Sequence, residues 1–388
     1  MSVVKKLRVG VIYGGRSGEH EVSVTSAAAI FKHLDRNRYE PIAIRIEKDG
    51  RWTLADRPPA TLSAAEVIEH ARLHAATSIR SGRPAHMLPY PSSEPLMTVA
   101  RGPAPEAGEN ARVMSLGLDV VFPVLHGPYG EDGTVQGLFE LANVPYVGAG
   151  VLASAAGMDK AVMKVLFADR GLPLAPYRVL LRGAWDGSRD ATTATLGEAL
   201  GYPMFVKPAN LGSSVGISKA KTPASLADAI DLAFAYDRKV VVEQAVRDAR
   251  EIECAVLGNE DPLASVAGEI VPTREFYDYE AKYLDAGAEP LIPAPLTDGQ
   301  HTEVRRLAIE AFRAIDGAGM ARVDFLVERG TGRLYVNEIN TIPGFTTISM
   351  FAKLWNASGL EYPALLDRLI ALALERHTAK QRLRTSAI

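Results

Sequence analysis

Two short segments carry residues that could do chemistry together. Arg322-Val323-Asp324 is followed, fourteen residues after the arginine–aspartate pair closes, by Glu338-Ile339-Asn340. Each segment lies in a strand-like run, 320–328 and 333–340, and Glu328-Arg329-Gly330-Thr331-Gly332 supplies a glycine-rich turn between them. In a strand, residues two apart point to the same face. Arg322 therefore shares a face with Asp324, and Glu338 shares one with Asn340. Pairing the runs as a hairpin predicts three oxygen ligands and one guanidinium at a single spot. Two carboxylates and an amide are hard donors, suited to Mg²⁺ beside nucleotide phosphates. An arginine next to such a metal suits a developing anion. The same residues would also form a plain solvated hairpin face, so the rest of the chain has to decide.

The chain has 388 residues, too many for one ordinary core, and two or three domains are expected. Its 47% apolar and 23% charged residues are those of a soluble globular protein. A net charge of −3 leaves no basic excess to neutralise a duplex, which argues against general nucleic-acid binding. Cys254 is the single cysteine, so an intramolecular disulfide and a multi-cysteine zinc site are excluded. That fits a reducing cytoplasm. The cysteine lies in the apolar run Cys254-Ala255-Val256-Leu257, as a small buried residue would. The first residues, Met1-Ser2-Val3-Val4-Lys5-Lys6, lack the apolar core of a signal peptide. No stretch approaches the roughly 18 uninterrupted apolar residues of a membrane span.

The elements that must position these residues begin with the apolar run 7–13, which reads as a strand buried on both faces of a parallel sheet. It enters Gly14-Gly15-Arg16-Ser17-Gly18-Glu19-His20-Glu21 and then a helical pattern through Val24, Ala27, Ala28 and Phe31, the first half of a βαβ unit. The run 118–125 reads as a second buried strand ending in His126-Gly127. Between them, 56–112 carries proline and glycine clusters around one helix-like patch, 62–74, and reads as an insertion without assignable chemistry. A helix with Met158, Ala161, Val162, Val165 and Leu166 on one stripe is expected to stop at Gly171 and Pro173. Strands at 204–207 and 217–220 flank the glycine-rich 210–216 as a hairpin. A helix at 225–235 and a strand at 239–243 follow. Beyond Arg250 come further strands, a long loop over 273–295, and an amphipathic helix through Val304, Leu307, Ala308, Ala311 and Ile315. The hairpin and a terminal helix at 363–376 complete the chain. Three lobes are expected, over residues 1–149, 150–246 and 247–388.

Gly212-Ser213-Ser214-Val215-Gly216 can cradle phosphate, because glycines let backbone N–H groups approach anionic oxygens. It is neither a P-loop nor a dinucleotide fingerprint, since it joins two strands and neither pattern occurs. Lys207, ending an apolar strand just before it, needs an anionic partner or a route to solvent. Lys160 sits early in a helix beside Asp159, where a surface ion pair is the plain alternative. Glu243 and Glu251 fall at strand ends near an interlobe crevice, where Glu251 could accept from sugar hydroxyls or both could simply be solvated. His126 precedes a glycine at a strand's carboxyl end, where open α/β sheets bind ligands, although a lone histidine is usually structural. Glu19 occupies the same kind of position after the first strand.

Taken in order, these motifs resemble the D-alanine–D-alanine ligase family of the ATP-grasp fold. The resemblance rests on the Gly14–Ser23 segment, on His126-Gly127 with Gly130-Glu131-Asp132-Gly133, and on Met158-Asp159-Lys160. It continues through Val206-Lys207-Pro208, Gly212–Gly216 and Phe276-Tyr277-Asp278-Tyr279-Glu280-Ala281-Lys282-Tyr283. Arg322-Val323-Asp324 and Asn337-Glu338-Ile339-Asn340-Thr341-Ile342-Pro343-Gly344 complete it. Nearly the whole chain is covered apart from 56–112. The implied fold is α/β, an ATP-grasp pair of lobes behind an amino-terminal parallel-sheet domain.

The resemblance implies ATP between the second and third lobes, with Lys160, Lys207 and the Ser213, Ser214 and Val215 loop on the phosphates. Asn337 and Glu338 border the same nucleotide. Glu243 and the backbone through Val246 would meet adenine, and Glu251 the ribose. Lys282 would reach the γ-phosphate as the 276–283 loop closes. Asp324, Glu338 and Asn340 match ligands for two Mg²⁺ ions, with Mn²⁺ able to substitute. Glu19 would hold the ammonium of the first D-alanine, with His126 near its carboxylate. Arg322 and the N–H of Gly344 would meet the oxyanion, and Ser349 and Met350 the second D-alanine's carboxylate. Ser213, Tyr283 and Glu19 match a hydrogen-bonded trio. The implied reaction activates D-alanine as an acyl phosphate and forms D-alanyl-D-alanine for peptidoglycan precursors, in a cytoplasmic homodimer that touches neither membrane nor nucleic acid. Tyr283 argues against a D-alanine–D-lactate ligase, and Glu19 with the 276–283 motif against other carboxylate–amine ligases of this fold. A regulator without turnover would be expected to lose at least one charged site residue.

Overall fold

A computed structural model describes residues 5–60, 82–100, 112–271, 289–346 and 349–384. Among these, strands β1 (Leu7–Gly14), β2 (Tyr39–Ile46), β3 (Trp52–Leu54), β4 (Arg83–Met87), β5 (Leu96–Ala100), β6 (Arg112–Leu116) and β7 (Val120–Val124) form one sheet in the order β6-β5-β4-β3-β2-β1-β7. β1 pairs in parallel with both β2 and β7, as its nearly all apolar run predicts. Alternate residues serve different cores: Val9, Val11 and Tyr13 enter one, and Ile12 enters the other. The first core is closed by Ala27, Ile30 and Phe31 of helix His20–His33 and by Leu365, Leu366 and Leu369 of helix Tyr362–Gln381. The amino-terminal sheet is thus seated on the carboxy-terminal helices. Arg376 reinforces that join by donating to the carbonyls of Tyr146 (3.0 Å) and Gly148.

The 56–112 segment extends the sheet by antiparallel pairing through β4, β5 and the start of β6. Pro84, Pro89, Pro91 and Pro95 conceal these strands from the sequence, because proline reads as punctuation when it sits at strand edges and turns. The helix-like patch at 62–74 lies outside the described residues.

The second sheet joins β8 (Tyr177–Leu181), β9 (Met204–Pro208), β10 (Ser218–Ala220) and β11 (Lys239–Gln244) in the order β10-β9-β11-β8. Val206, Val240 and Val242 pack under Leu226, Ile230 and Phe234 of helix Pro223–Phe234, which Thr222 and Ser225 start with a capping box. The other face of this sheet presents Lys207 and Glu243. The third sheet joins β12 (Ala249–Gly258), β13 (Leu263–Val271), β14 (Glu289–Leu291), β15 (Gly319–Glu328) and β16 (Leu334–Asn340) in the order β14-β13-β12-β15-β16. Ile252, Cys254, Val323 and Phe325 face a core with Val304, Leu307, Ala308, Ala311 and Ile315, all five of which are buried as their spacing predicts. The opposite face of the same strands carries charge. Part of the expected long loop, 289–291, is strand β14, and residues 272–288 lie outside the described set.

The helix expected around Met158 is two helices, Val151–Met158 and Lys160–Asp169, broken at Asp159. Its buried face is Ala161, Met163, Lys164 and Phe167, whereas Val162 and Val165 are 43% and 60% exposed. The sequence misleads here because apolar residues lie all round the helix, and a lysine occupies the enclosed side. Asp159 caps the second helix, accepting from the N–H groups of Ala161 and Val162 (3.1 Å each) and pairing with Lys239. Replacing Asp159 by Ala should lower unfolding free energy by about 1–2 kcal/mol, as loss of a bonded cap does. The check is the urea midpoint by circular dichroism; a midpoint equal to the parent's would show that the cap contributes nothing.

Candidate active site

The β15–β16 hairpin forms with the register the sequence implies: Arg322 lies opposite Asn340, and Asp324 opposite Glu338. Phe325 then pairs with Val336, so Asn337 is the extra residue of a bulge that alternation alone does not reveal. Arg322 grips Asp324 with two bonds, Nε to Oδ1 at 2.7 Å and a terminal nitrogen to Oδ2 at 2.6 Å. Its Nε also lies 3.2 Å from Glu253 Oε2. Burial disfavours the guanidinium charge, but Asp324 and Glu253 outweigh it and hold the proton more firmly than usual. Glu253 was missed by sequence reasoning. The signal was available: it is two residues beyond Glu251 on the same strand, and directly across from Asp324.

Asp324, Glu338 and Asn340 share this charged face. Among the described residues no three His, Cys, Asp or Glu side chains converge as a metal cluster, so the donor set is two carboxylates and one amide. Asn340 Oδ1 accepts from the N–H of Ile342 at 3.0 Å, which fixes the amide and leaves the oxygen a second lone pair. All three are hard donors, and they fit Mg²⁺ rather than a softer ion.

Cations meet this face from helix Lys160–Asp169 and from β9 of the second sheet. Lys160 Nζ lies 3.5 Å from Glu338 and donates to the Leu211 carbonyl at 2.8 Å. Lys207 Nζ donates to Asn337 Oδ1 at 3.1 Å and to Glu243 Oε2 at 2.9 Å. Lys164, which the sequence gave no reason to single out, reaches the other Glu243 oxygen at 3.1 Å. Burial opposes ionisation of Glu243, yet Lys164 and Lys207 together bring its pKa down to about 2. Its carboxylate is therefore engaged by two lysines, not presented at a solvated strand end. Glu251 is half-buried on β12, and Val246 is half-buried in the link between β11 and β12.

The loop Gly212–Gly216 approaches Glu19 and Glu131, with Ser213 and Ser214 both at positive φ (50° and 58°). The Ser213 hydroxyl donates to Glu19 Oε1, so two members of the implied trio meet. Tyr283 and Lys282 lie outside the described residues. Gly127 has φ +76°, and a Cβ there would stand 2.8 Å from Glu19 Oε2, so only glycine lets Glu19 sit here. Gly127 N–H also donates to Glu131 Oε1 at 2.8 Å. His126 Nδ1 donates to the Ile342 carbonyl at 3.0 Å, and its Nε2 is 3.5 Å from Ser26 Oγ, which in turn accepts from Phe345 N–H. Burial lowers the pKa of this imidazole despite Glu19 nearby. His126 thus ties the end of β7 to the 342–345 turn that carries Gly344. A Cβ on Gly344 would stand 2.9 Å from Ser349 Oγ. Ser349 begins helix Met350–Ala357 and accepts from Thr346 N–H at 3.1 Å. The Met350 side chain points inward, its Cε 2.5 Å from where a Gly268 Cβ would be, so a ligand here would meet backbone N–H rather than that side chain.

Comparison with known proteins agrees along the whole length. The family models for the D-ala D-ala ligase N-terminus and C-terminus match residues 8–149 and 166–371. A D-alanine–D-alanine ligase of Heliobacterium modesticaldum is 51% identical over 380 residues, with 97% of each chain covered. The solved D-alanine–D-alanine ligase from Coxiella burnetii superposes with a TM-score of 0.78 at 37% identity, over 98% of this chain and 97% of that one. The VanG D-Ala:D-Ser ligase from Enterococcus faecalis gives 0.79 at 31% identity, over 95% and 100%.

Glu131 generates a pH prediction. Burial, then the neighbouring Glu19, pushes its carboxyl pKa up from 4.5 to about 8. A carboxyl raised in the folded state makes the fold bind a proton that the unfolded chain has released. Its contribution is least costly at low pH, and the penalty grows as pH rises through the window from 4.5 to 8. Gln at 131 keeps an acceptor for Gly127 and cannot ionise. E131Q should match the parent near pH 5 and exceed it by a few kcal/mol, to order of magnitude, near pH 9. Urea melts at both pH values check this; a difference independent of pH would show that Glu131 titrates like an ordinary carboxyl.

Proposed function

The chain belongs to the D-alanine–D-alanine ligase family, and we propose that it joins two D-alanines into D-alanyl-D-alanine with cleavage of ATP to ADP. One observation carries this reading. The Ser213–Glu19 bond ties the glycine loop to the first lobe, and Lys160–Glu338 and Lys207–Asn337 tie the second lobe to the third. Residues suited to an amino acid's ammonium, to phosphate and to an oxyanion thus border one cleft.

A carboxylate does not condense with an amine in water, because its oxygen is a poor leaving group. Phosphorylation by ATP supplies a better one, and Lys160 and Lys207 would neutralise charge on the transferred group. Asp324, Glu338 and Asn340 would hold two Mg²⁺ ions, or Mn²⁺, whose contribution is to offset phosphate charge. Glu19 is the acceptor for the first D-alanine's ammonium, its orientation set by Ser213 and by the close approach of Gly127. The second D-alanine, once its ammonium has lost a proton, attacks the acyl phosphate. Arg322 with the Gly344 N–H receives the oxyanion of the tetrahedral intermediate, which collapses by breaking the acyl C–O bond and expelling inorganic phosphate. Ser349 and the backbone N–H groups that open helix Met350–Ala357 suit the second carboxylate. Loop 276–283, with Lys282 and Tyr283, would close over both substrates and exclude the water that hydrolyses an acyl phosphate.

No helix among the described residues is long and apolar enough to cross a membrane. We place the protein in the cytoplasm, where ATP and reduced Cys254 belong, supplying peptidoglycan precursors. A homodimer accompanies the family reading, and exposed Leu152 and Val162, which line one shallow apolar depression, offer surface for it.

The test is ADP release with D-alanine, with L-alanine, and with D-alanine plus excess D-serine or D-lactate, products being resolved by mass spectrometry. Turnover with D-alanine alone and none with L-alanine is the expected result; a dominant mixed product would move the reading to another member of the fold. E338Q should reduce turnover by about a hundredfold or more while leaving circular dichroism unchanged, since it removes a full charge from the metal face. Activity within a few-fold of the parent at saturating Mg²⁺ would remove Glu338 from that face.

A further inference from the structure

Lys164 has no part in the scheme above, yet its side chain is only 1% exposed. A lysine so enclosed requires a partner that keeps its charge tolerable. Its Nζ lies 3.1 Å from Glu243 Oε1 and 5.5 Å from the centre of the Tyr177 ring, the residue paired with Glu243 across β8 and β11. Lys207 occupies the second oxygen of the same carboxylate at 2.9 Å. One carboxylate, itself 3% exposed, therefore carries two lysines. Neutrality needs only one.

The two lysines differ in reach. Lys207 also touches Asn337, at the rim where phosphate would lie, whereas Lys164 rises from helix Lys160–Asp169 beneath the sheet and has no such contact. We propose that Lys164 is a positioning residue, the standing counter-ion of Glu243 that releases Lys207 to bind the phosphates of ATP. This rests on Lys207 as a phosphate ligand. When Lys207 turns toward the nucleotide, Glu243 keeps Lys164 and no buried carboxylate is stranded. Without Lys164, Glu243 would retain Lys207, and nucleotide would have to compete with a desolvated ion pair.

The test measures binding of the β,γ-imido analogue of ATP, and of adenosine by competition, to the full chain by calorimetry. K164M should weaken the imido analogue by about tenfold or more, leave adenosine within about twofold, and leave the KM for D-alanine unchanged. Equal weakening of adenosine would mean general damage to the pocket and would overturn the proposal. The dependence on Glu243 gives a second arm that holds even where K164M does not fold. E243Q and K164M/E243Q should bind the imido analogue alike, because Lys164 then has no carboxylate to serve. A double variant tenfold weaker than E243Q overturns the proposal. K207M separates the underlying reading: unchanged affinity for the imido analogue in K207M removes Lys207 from the phosphates, and the proposal falls with it.

Discussion

Cations must be kept in a cleft that has little water, and the rest of the structure is arranged around that constraint. A nucleotide's phosphates need several positive groups, but lysines and arginines cannot be left uncompensated where solvent is scarce. Each is therefore paired with a carboxylate or amide carried on a strand: Arg322 with Asp324 and Glu253, Lys160 with Glu338, and Lys207 with Glu243 and Asn337. The same acids that neutralise the cations are those suited to a divalent ion. Charge can then be handed from lysine and arginine to metal and phosphate without leaving any group bare.

This arrangement dictates the sheets. Antiparallel strands with one apolar and one charged face can hold such a matrix on a rigid floor while the other face builds a core. In the third sheet, Val323 and Phe325 enter the core with helix Asp298–Ala314, and Arg322 and Asp324 turn to the cleft. The second sheet repeats the division, with Val240 and Val242 under a helix and Val241 and Glu243 on the opposite face. The first sheet differs because both of its faces are covered. It brings its loops, not its faces, to the site, with Glu19 after β1 and His126 after β7 at adjacent strand ends.

Period-two reasoning made the hairpin legible, because Arg322, Asp324, Glu338 and Asn340 are separated by single residues in clean strands. Helical spacing likewise identified Val304, Leu307, Ala308 and Ala311 of helix Asp298–Ala314 and Ile315 just past its end, all buried. Where reading failed, a pattern was saturated or interrupted. Helix Lys160–Asp169 is apolar nearly all round, so spacing could not select its inner face or reveal Lys164 on it. The bulge at Asn337 shifts the register by one residue and has no composition of its own. Prolines hid β4 and β5. Glu253 had the right parity, but a lone glutamate in a strand means nothing until Asp324 is seen opposite it. Roles assigned through family resemblance, such as those of Lys282 and Tyr283, had no counterpart in spacing at all.

Glu19 and Glu131 show why a second carboxyl can be useful beside the first. Both approach Gly212, where an added Cβ would lie 3.3 Å from Glu19 Oε2 and 3.8 Å from Glu131 Oε1. Two like charges so close in a buried pocket would repel strongly, and a proton on one of them relieves this. Glu131, buried and with Glu19 beside it, takes that proton, its pKa pushed up to about 8, while it accepts from the Gly127 N–H. Glu19, equally buried, instead receives the Ser213 hydroxyl in the turn before helix His20–His33. Environment thus gives two chemically identical side chains different partners, Glu131 the Gly127 N–H and Glu19 the Ser213 hydroxyl. An arriving ammonium changes the balance at Glu131, because its positive charge favours the ionised form of that carboxyl. The pocket can therefore release the Glu131 proton as substrate binds, and D-alanine binding should become coupled to proton release between pH 6 and 8, about the window set by that pKa.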